Sequence, residues 1–263
     1  MKRMAFTKMV ASGNDFVIVD RKPSGSLSMI ARRICDRKFG IGADGLLLLE
    51  KSKKADIRMR VFNADGSETQ MCGNGARCVS LYVGRRNLLI ETKAGIIESA
   101  ISGRNIRIRL TDPKRIKLDI PIKVNNRTLR VNFIDTGVPH TVIFAQGLDK
   151  IDVVNLGRQI RFHKRFAPAG TNVDFVEVLS NSSIKLRTYE RGVEGETLAC
   201  GTGSVAAALI TAYSLQCLAA NKINVHTQSG EILKVYFERA GNNFKNVWLE
   251  GKARIVHKGV YYA

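Results

Sequence analysis

The sequence predicts a strand-rich mixed α/β protein built from two copies of one module. Three observations point there. Six short segments recur in the same order, at separations of 124, 126, 128, 128, 135 and 141 residues, as an internal duplication requires. Apolar or alternating β-rich runs are spread along the chain: FVIV, LLLL, IRMRVF, IRIRL, TVIFA, VDFVEV, IKLRTY, INVHT and ILKVYF. Helical spacing is confined to 26–37, 75–86, 151–161 and 203–218, the last apolar almost all round, as in a helix enclosed by a sheet. The modules are expected at 1–118 and 119–249, with the tail 250–263 packing back on the first.

SGNDFVIV (12–19) returns as TGVPHTVI (136–143), and IARRI with Phe39 returns as LGRQI with Phe166. GADG (42–45) and its strand match GTNV (170–173) and its strand. ETQMCGNG (68–75) matches ETLACGTG (196–203), TKAG (92–95) matches TQSG (227–230), and Asn105-Ile106 matches Asn246-Val247.

Composition excludes several classes. With 44% apolar and 25% charged residues and only five prolines, this is a globular chain without long disordered stretches. Lys8 interrupts the basic N-terminus before any run of signal-peptide length. The apolar stretch 205–220 is broken by Thr211, Tyr213, Ser214 and Gln216, so it reads as a buried helix rather than a bilayer span. No membrane partner is expected, and the location is read as cytoplasmic. The net charge of +19 raises a nucleic-acid partner. Its cations are scattered without interleaved aromatics, so the reading is a solvated surface that attracts acidic metabolites, with no nucleic acid bound. Five cysteines, an odd number without CxxC spacing, argue against a disulfide framework and a structural zinc. Cys35 and Cys217 fall in apolar helical patterns and read as core. Helical periodicity turns Cys72 and Cys78 to different faces, so no metal site is expected there.

Cys72 and Cys200 occupy the same position in the two copies, each after a strand and a polar turn and just before a helix. Neighbouring glycines let a backbone approach a ligand, and the first N–H groups of a helix are available to an anion such as a carboxylate. The positive helix end is expected to favour thiolate, lowering the thiol pKa toward neutrality. Two modules face to face would set a thiolate and a thiol on opposite sides of one carbon, as stereoinversion of a small amino-acid ligand requires. A redox pair forming a disulfide stays open on these residues, and so does a Schiff-base lysine.

The segments FNADGSETQMCGNGARC (62–78) and YERGVEGETLACGTGS (189–204) resemble the two signature blocks of the diaminopimelate epimerase family. KMVASGNDF (8–16), GIGADG (40–45), TGVPH (136–140) and GTNVDF (170–175) resemble further blocks of that family, in its order. The resemblance implies two pseudo-symmetric domains, each a β-sheet wrapped around a central helix, commonly assembled as a homodimer. It implies an epimerase without pyridoxal, other cofactor or metal, which interconverts LL- and meso-diaminopimelate for lysine and cell-wall precursors. Cys72 and Cys200 take the acid and base roles. Gly73, Asn74, Gly201 and Thr202 hold the substrate, with Asn14, Asn63, Asn172, Glu190 and Arg191 as remaining contacts. The planar fork of Arg191 suits a distant carboxylate, and His140 and Glu190 match residues that tune the thiols. Two departures stand out: Val138 occupies a position where many members have Asn, and Gly45 one where some have Gln. Proline and hydroxyproline racemases share the duplicated fold and two-cysteine logic, but Glu190-Arg191 and three asparagines favour a long substrate with a second polar end.

Overall fold

The computed structural model describes residues 3–214 and 221–262. In chain order the first half holds β1 (Arg3–Ala11), β2 (Asn14–Val19), α1 (Leu27–Cys35), β3 (Gly45–Glu50), β4 (Ile57–Asn63), β5 (Glu68–Thr69), α2 (Gly73–Val83), β6 (Asn87–Thr92), β7 (Gly95–Ser102) and β8 (Asn105–Arg109). There follow β9 (Lys114–Val124), β10 (Arg127–Asp135), β11 (Pro139–Phe144), α3 (Val153–Arg161), β12 (Asn172–Ser180), β13 (Ser183–Glu190), β14 (Gly195–Thr197) and α4 (Gly201–Ser214). The chain ends with β15 (Lys222–His226), β16 (Ile232–Ala240), β17 (Asn243–Gly251) and β18 (Arg254–Tyr262). Strand-rich α/β is the observed class.

Two compact units emerge, residues 1–109 with 251–263, and residues 110–250. The change falls at Arg109–Leu110 rather than at 118/119, because 114–124 is one strand that forms a hairpin with β10. Each unit repeats one topology. In the first, β1 pairs antiparallel with β2, β2 runs parallel to β3, β3 antiparallel to β4, β4 parallel to β6, and β6–β7–β8 form a meander. In the second, β10, β11, β12, β13, β15, β16 and β17 repeat those pairings in the same order. A parallel pair needs a long crossover, and α1, α2, α3 and α4 lie in the crossovers of β2–β3, β4–β6, β11–β12 and β13–β15. The tail strand β18 lies against β1 from Arg3–Tyr262 to Val10–Arg254. It takes the place that β9 takes beside β10, so the chain's last strand completes its first module.

The two kinds of helix bury different amounts of themselves. α1 and α3 are amphipathic: Leu27, Ala31, Ile34 and Cys35 of α1 pack on β2, β3 and β4, and Val153 and Ile160 of α3 pack on β12 and β13. α2 and α4 are central. Residues 74–80 of α2 and 203–212 of α4 are buried all round. Polar residues inside them satisfy themselves along the helix, with Ser80, Ser204 and Thr211 hydroxyls donating to the carbonyls of Ala76, Cys200 and Ala207. Both central helices start two residues before the sequence pattern suggested, at Gly73 and Gly201. The reason is that the cysteine itself caps the helix. Residues 215–218 of the last predicted helix, and Cys217, lie outside the described residues. Among the described residues, no helix is long and apolar enough to cross a membrane.

Candidate active site

In the first unit, Cys72 is the N-cap of α2, and its sulfur accepts the Gly75 N–H at 3.5 Å. The Cys72 thiol is half-buried and reaches Asn14 Oδ1 at 3.9 Å. Asn14 is held by Asp44: its Nδ2 donates to Asp44 Oδ2 at 3.0 Å, and the Asp15 N–H donates to the same oxygen at 3.0 Å. Asp15 is gripped in turn by Lys8 at 2.8 Å and by both Arg37 nitrogens. Desolvation would raise the Asp15 pKa, but the hydrogen bonds from Arg37, Lys8 and Asp44 outweigh it and hold the carboxyl low. Burial instead pushes Asp44 up. Gly73 and Asn74 form the first turn of α2, where the helix offers no carbonyl to their N–H groups. The Asn74 side chain points inward and accepts from the buried Arg77 at 2.5 Å, so what it offers a ligand is backbone. Asn63, exposed at the end of β4, donates to Ser67 Oγ at 3.0 Å.

In the second unit, Cys200 immediately precedes α4, and its sulfur accepts the Gly203 N–H at 3.4 Å. The equivalence of the two cysteines is therefore one of local geometry as well as of sequence. Their surroundings differ. Cys200 is buried, 6% exposed, and its Sγ lies 3.4 Å from Thr202 Oγ1. Thr202 Oγ1 is 3.0 Å from His140 Nε2, and His140 Nδ1 is 2.7 Å from Asp174 Oδ2. The other Asp174 oxygen accepts from Thr188 at 2.8 Å. Desolvation pushes the Cys200 thiol well up, reinforced by the charges of Glu190 and Asp174 and opposed by Thr202 and the Gly203 N–H. The expected lowering at a helix start is thus reversed for Cys200: burial beside two carboxylates exceeds the effect of the helix end. Burial likewise raises Glu190, with Thr197 and His140 drawing it back.

Asn172 spends its amide on the protein. Its Oδ1 accepts the Arg191 N–H at 2.8 Å, and its Nδ2 donates to Pro139 O at 3.1 Å and faces His140 Nε2 at 3.5 Å. This ties β11 to the start of the Arg191 turn. The Arg191 guanidinium donates to Ala169 O at 3.1 Å. Gly201 and Thr202 open α4 as Gly73 and Asn74 open α2.

Strand registers also refine the internal match. Phe16 stands opposite Gly45, and His140 opposite Asn172. Asn172 therefore corresponds to Gly45, one residue beyond the Asp44 that the sequence blocks align with it. Asp174 then corresponds to Leu47. The helix glycines agree, for a Cβ on Gly75 would meet Leu47 and one on Gly203 would meet Asp174. Sequence reasoning named His140 but missed Asp174. The signal lay in one carboxylate within the buried run NVDFV, where the first copy has only leucines.

The sequence profile of the family described as diaminopimelate epimerase matches residues 6–116 and 132–256. The diaminopimelate epimerase of Hydrogenobaculum sp. is 41% identical over 98% of both chains, and that of Archaeoglobus fulgidus is 44% identical over 89% of both. Among solved structures, a phenazine biosynthesis protein of the PhzF family from Bacillus anthracis has a TM-score of 0.78 at 20% identity, each chain covered in full. A hydroxyproline epimerase from Agrobacterium vitis has a TM-score of 0.72 at 14% identity, over 98% of this chain and 92% of that one. These structures share the fold. The duplicated topology, the paired helix-capping cysteines and the full-length relatives lead to one conclusion: this chain belongs to the diaminopimelate epimerase family.

Proposed function

We propose that this chain interconverts LL- and meso-2,6-diaminopimelate by moving a proton at one α-carbon between Cys72 and Cys200, in lysine and cell-wall precursor synthesis. The observation that carries the reading is the repeated cap: in each unit a cysteine sulfur lies within reach of an N–H two residues inside a central helix. A helix end of this kind offers oriented N–H groups to a carboxylate and to the negative charge that develops when the α-proton leaves. Gly73 and Asn74, with Gly201 and Thr202, supply those groups. One thiolate removes the α-proton, and the other thiol delivers a proton from the opposite face. Cys200, raised by burial, rests as the thiol and is the natural donor; for the reverse direction it must first lose its proton. Asn14 and Asn63 contact the amino-acid ends of the substrate, and Arg191 takes the distal carboxylate. Asn172 acts by fixing the Arg191 turn. No metal or organic cofactor has a step in this scheme. The chain works in the cytoplasm as a homodimer, on a free amino acid, without nucleic acid or membrane.

The test is turnover of LL-diaminopimelate by purified protein treated with chelator and with carbonyl reagent, with L-proline as control substrate. Formation of the meso isomer and no racemisation of proline is the expected result. Activity on proline alone, or loss of activity after the carbonyl reagent, overturns the proposal.

A further inference from the structure

Three buried residues that are apolar in the first unit are polar and bonded to one another in the second. Phe16, Leu47 and Val61 of the first unit are 3%, 0% and 3% exposed. Strand registers place His140, Asp174 and Thr188 at the corresponding positions, Phe16 and His140 in the strands that begin the parallel pairs, and Val61 and Thr188 opposite Thr69 and Thr197. His140 and Asp174 are fully buried. The apolar trio shows that the module folds without polar groups there. Burying a carboxylate is costly unless it is paired and hydrogen-bonded, so its presence in one copy calls for a use.

Hydrogen-bond roles in the second unit follow from the groups that have no choice. Asn172 Oδ1 must accept from the Arg191 N–H and its Nδ2 must donate to Pro139 O. A donor therefore faces His140 Nε2, which makes Nε2 the acceptor and Nδ1 the protonated nitrogen that donates to Asp174. Thr202 then donates its hydroxyl to Nε2 and accepts from the Cys200 thiol.

We infer that Asp174 is a positioning residue that fixes His140 as the Nδ1–H tautomer, so that Thr202 relays the Cys200 proton to His140 Nε2. The inference rests on the epimerase reading of the preceding section. The step is balanced: the Cys200 S–H proton passes to Thr202 Oγ1 as the Thr202 proton passes to Nε2. It leaves a Cys200 thiolate and a His140 imidazolium beside the Asp174 carboxylate. The charged groups facing this chain are Asp174 and Glu190. The relay gives a deeply buried thiol a route to thiolate that solvent does not supply, and return of the proton restores the donor.

The experiment compares wild-type protein with Asp174→Asn, Asp174→Leu, Thr202→Val and Thr202→Ser, by steady-state kinetics with diaminopimelate and by 15N NMR of the imidazoles, of which the chain has four. Asp174→Asn keeps the shape and removes the charge, and covers the case in which Asp174→Leu fails to fold. The expected result is a fall in kcat of about 10²–10³-fold in Asp174→Asn and Thr202→Val, with KM within about threefold and recovery in Thr202→Ser. His140 is expected as the Nδ1–H tautomer in wild type and as a mixture of tautomers in Asp174→Leu, where only the longer Asn172 contact still favours Nε2 as acceptor. Wild-type kcat in Asp174→Asn, or an Nε2–H tautomer in wild type, overturns the inference. If wild-type protein turns over no diaminopimelate, the epimerase reading fails instead, and the tautomer measurements alone decide the role of Asp174.

Discussion

Gly75 and Gly203 occupy the same helix position in the two copies, and the structure predicts opposite outcomes when each becomes alanine. Alanine in a helix is favoured over glycine by about 1 kcal/mol. At Gly75 the added Cβ would meet Leu47 Cδ2 at 3.2 Å and Cys72 Cβ at 3.5 Å. A leucine methyl can withdraw by a few tenths of an ångström, so Gly75→Ala should be neutral or slightly stabilising. At Gly203 the same Cβ would lie 2.5 Å from Asp174 Oδ1 and 3.3 Å from the Cys200 sulfur. That oxygen is pinned by Thr188, and its partner oxygen by His140. Overpacking of a core costs about 1–3 kcal/mol, and a weakened hydrogen bond to a buried charge adds about 1.5–3 kcal/mol. After the helix gain, Gly203→Ala should lose roughly 1.5–5 kcal/mol, a fall in Tm of about 3–20 °C for a chain of this size. Differential scanning calorimetry of the two variants measures it. Equal shifts, or a Gly203→Ala protein as stable as wild type, would refute the placement of Asp174 under the second helix start.

Other outcomes follow from single contacts. Cys72→Ala and Cys200→Ala should each abolish epimerisation with the fold intact by circular dichroism; full activity in either contradicts two-base chemistry. Arg191→Ala should raise KM for diaminopimelate about 10–100-fold, the value of one hydrogen bond to a charge, and an unchanged KM would remove Arg191 from the site. Alkylation of native protein near pH 8 should label half-buried Cys72 first among the described cysteines. Cys35, whose thiol burial pushes up to about 12, should stay unlabelled, and peptide mapping that finds Cys35 first would contradict this. Glu68, held down to about 2 chiefly by Arg60 against desolvation, with help from Lys93, has a folded pKa below its unfolded one. Its stabilisation is complete above pH about 4.5 and fades toward pH 2. The Tm gap between wild type and Glu68→Gln should therefore close as pH falls through that window; a constant gap would exclude the linkage.

Much of this was legible in the chain. The CGxG blocks marked both helix starts because cysteine, glycine and a preceding polar turn are a local signal, and duplication multiplied it. What the chain does not spell out is what is not local. The tail is expected against the first module, but no short-range pattern gives the antiparallel register in which β18 pairs with β1. The sequence pattern places the helix starts two residues late because glycines read as turn, whereas here they are first-turn residues behind a cysteine cap. The one-residue slip between Asp44 and Asn172 arose because GADG and GTNV align by residue type, whereas parallel strand registers align Gly45 with Asn172. Correcting that slip is what sets Asp174 against Leu47 and separates the two cysteines chemically.

The most direct test of the proposed chemistry is the first turnover of LL-diaminopimelate in deuterated water. Two bases predict deuterium at the inverted α-carbon of the meso product and none in the unreacted LL substrate. Deuterium washing into recovered LL substrate as fast as product forms would mean a single base serving both faces, and would end the assignment of separate tasks to Cys72 and Cys200.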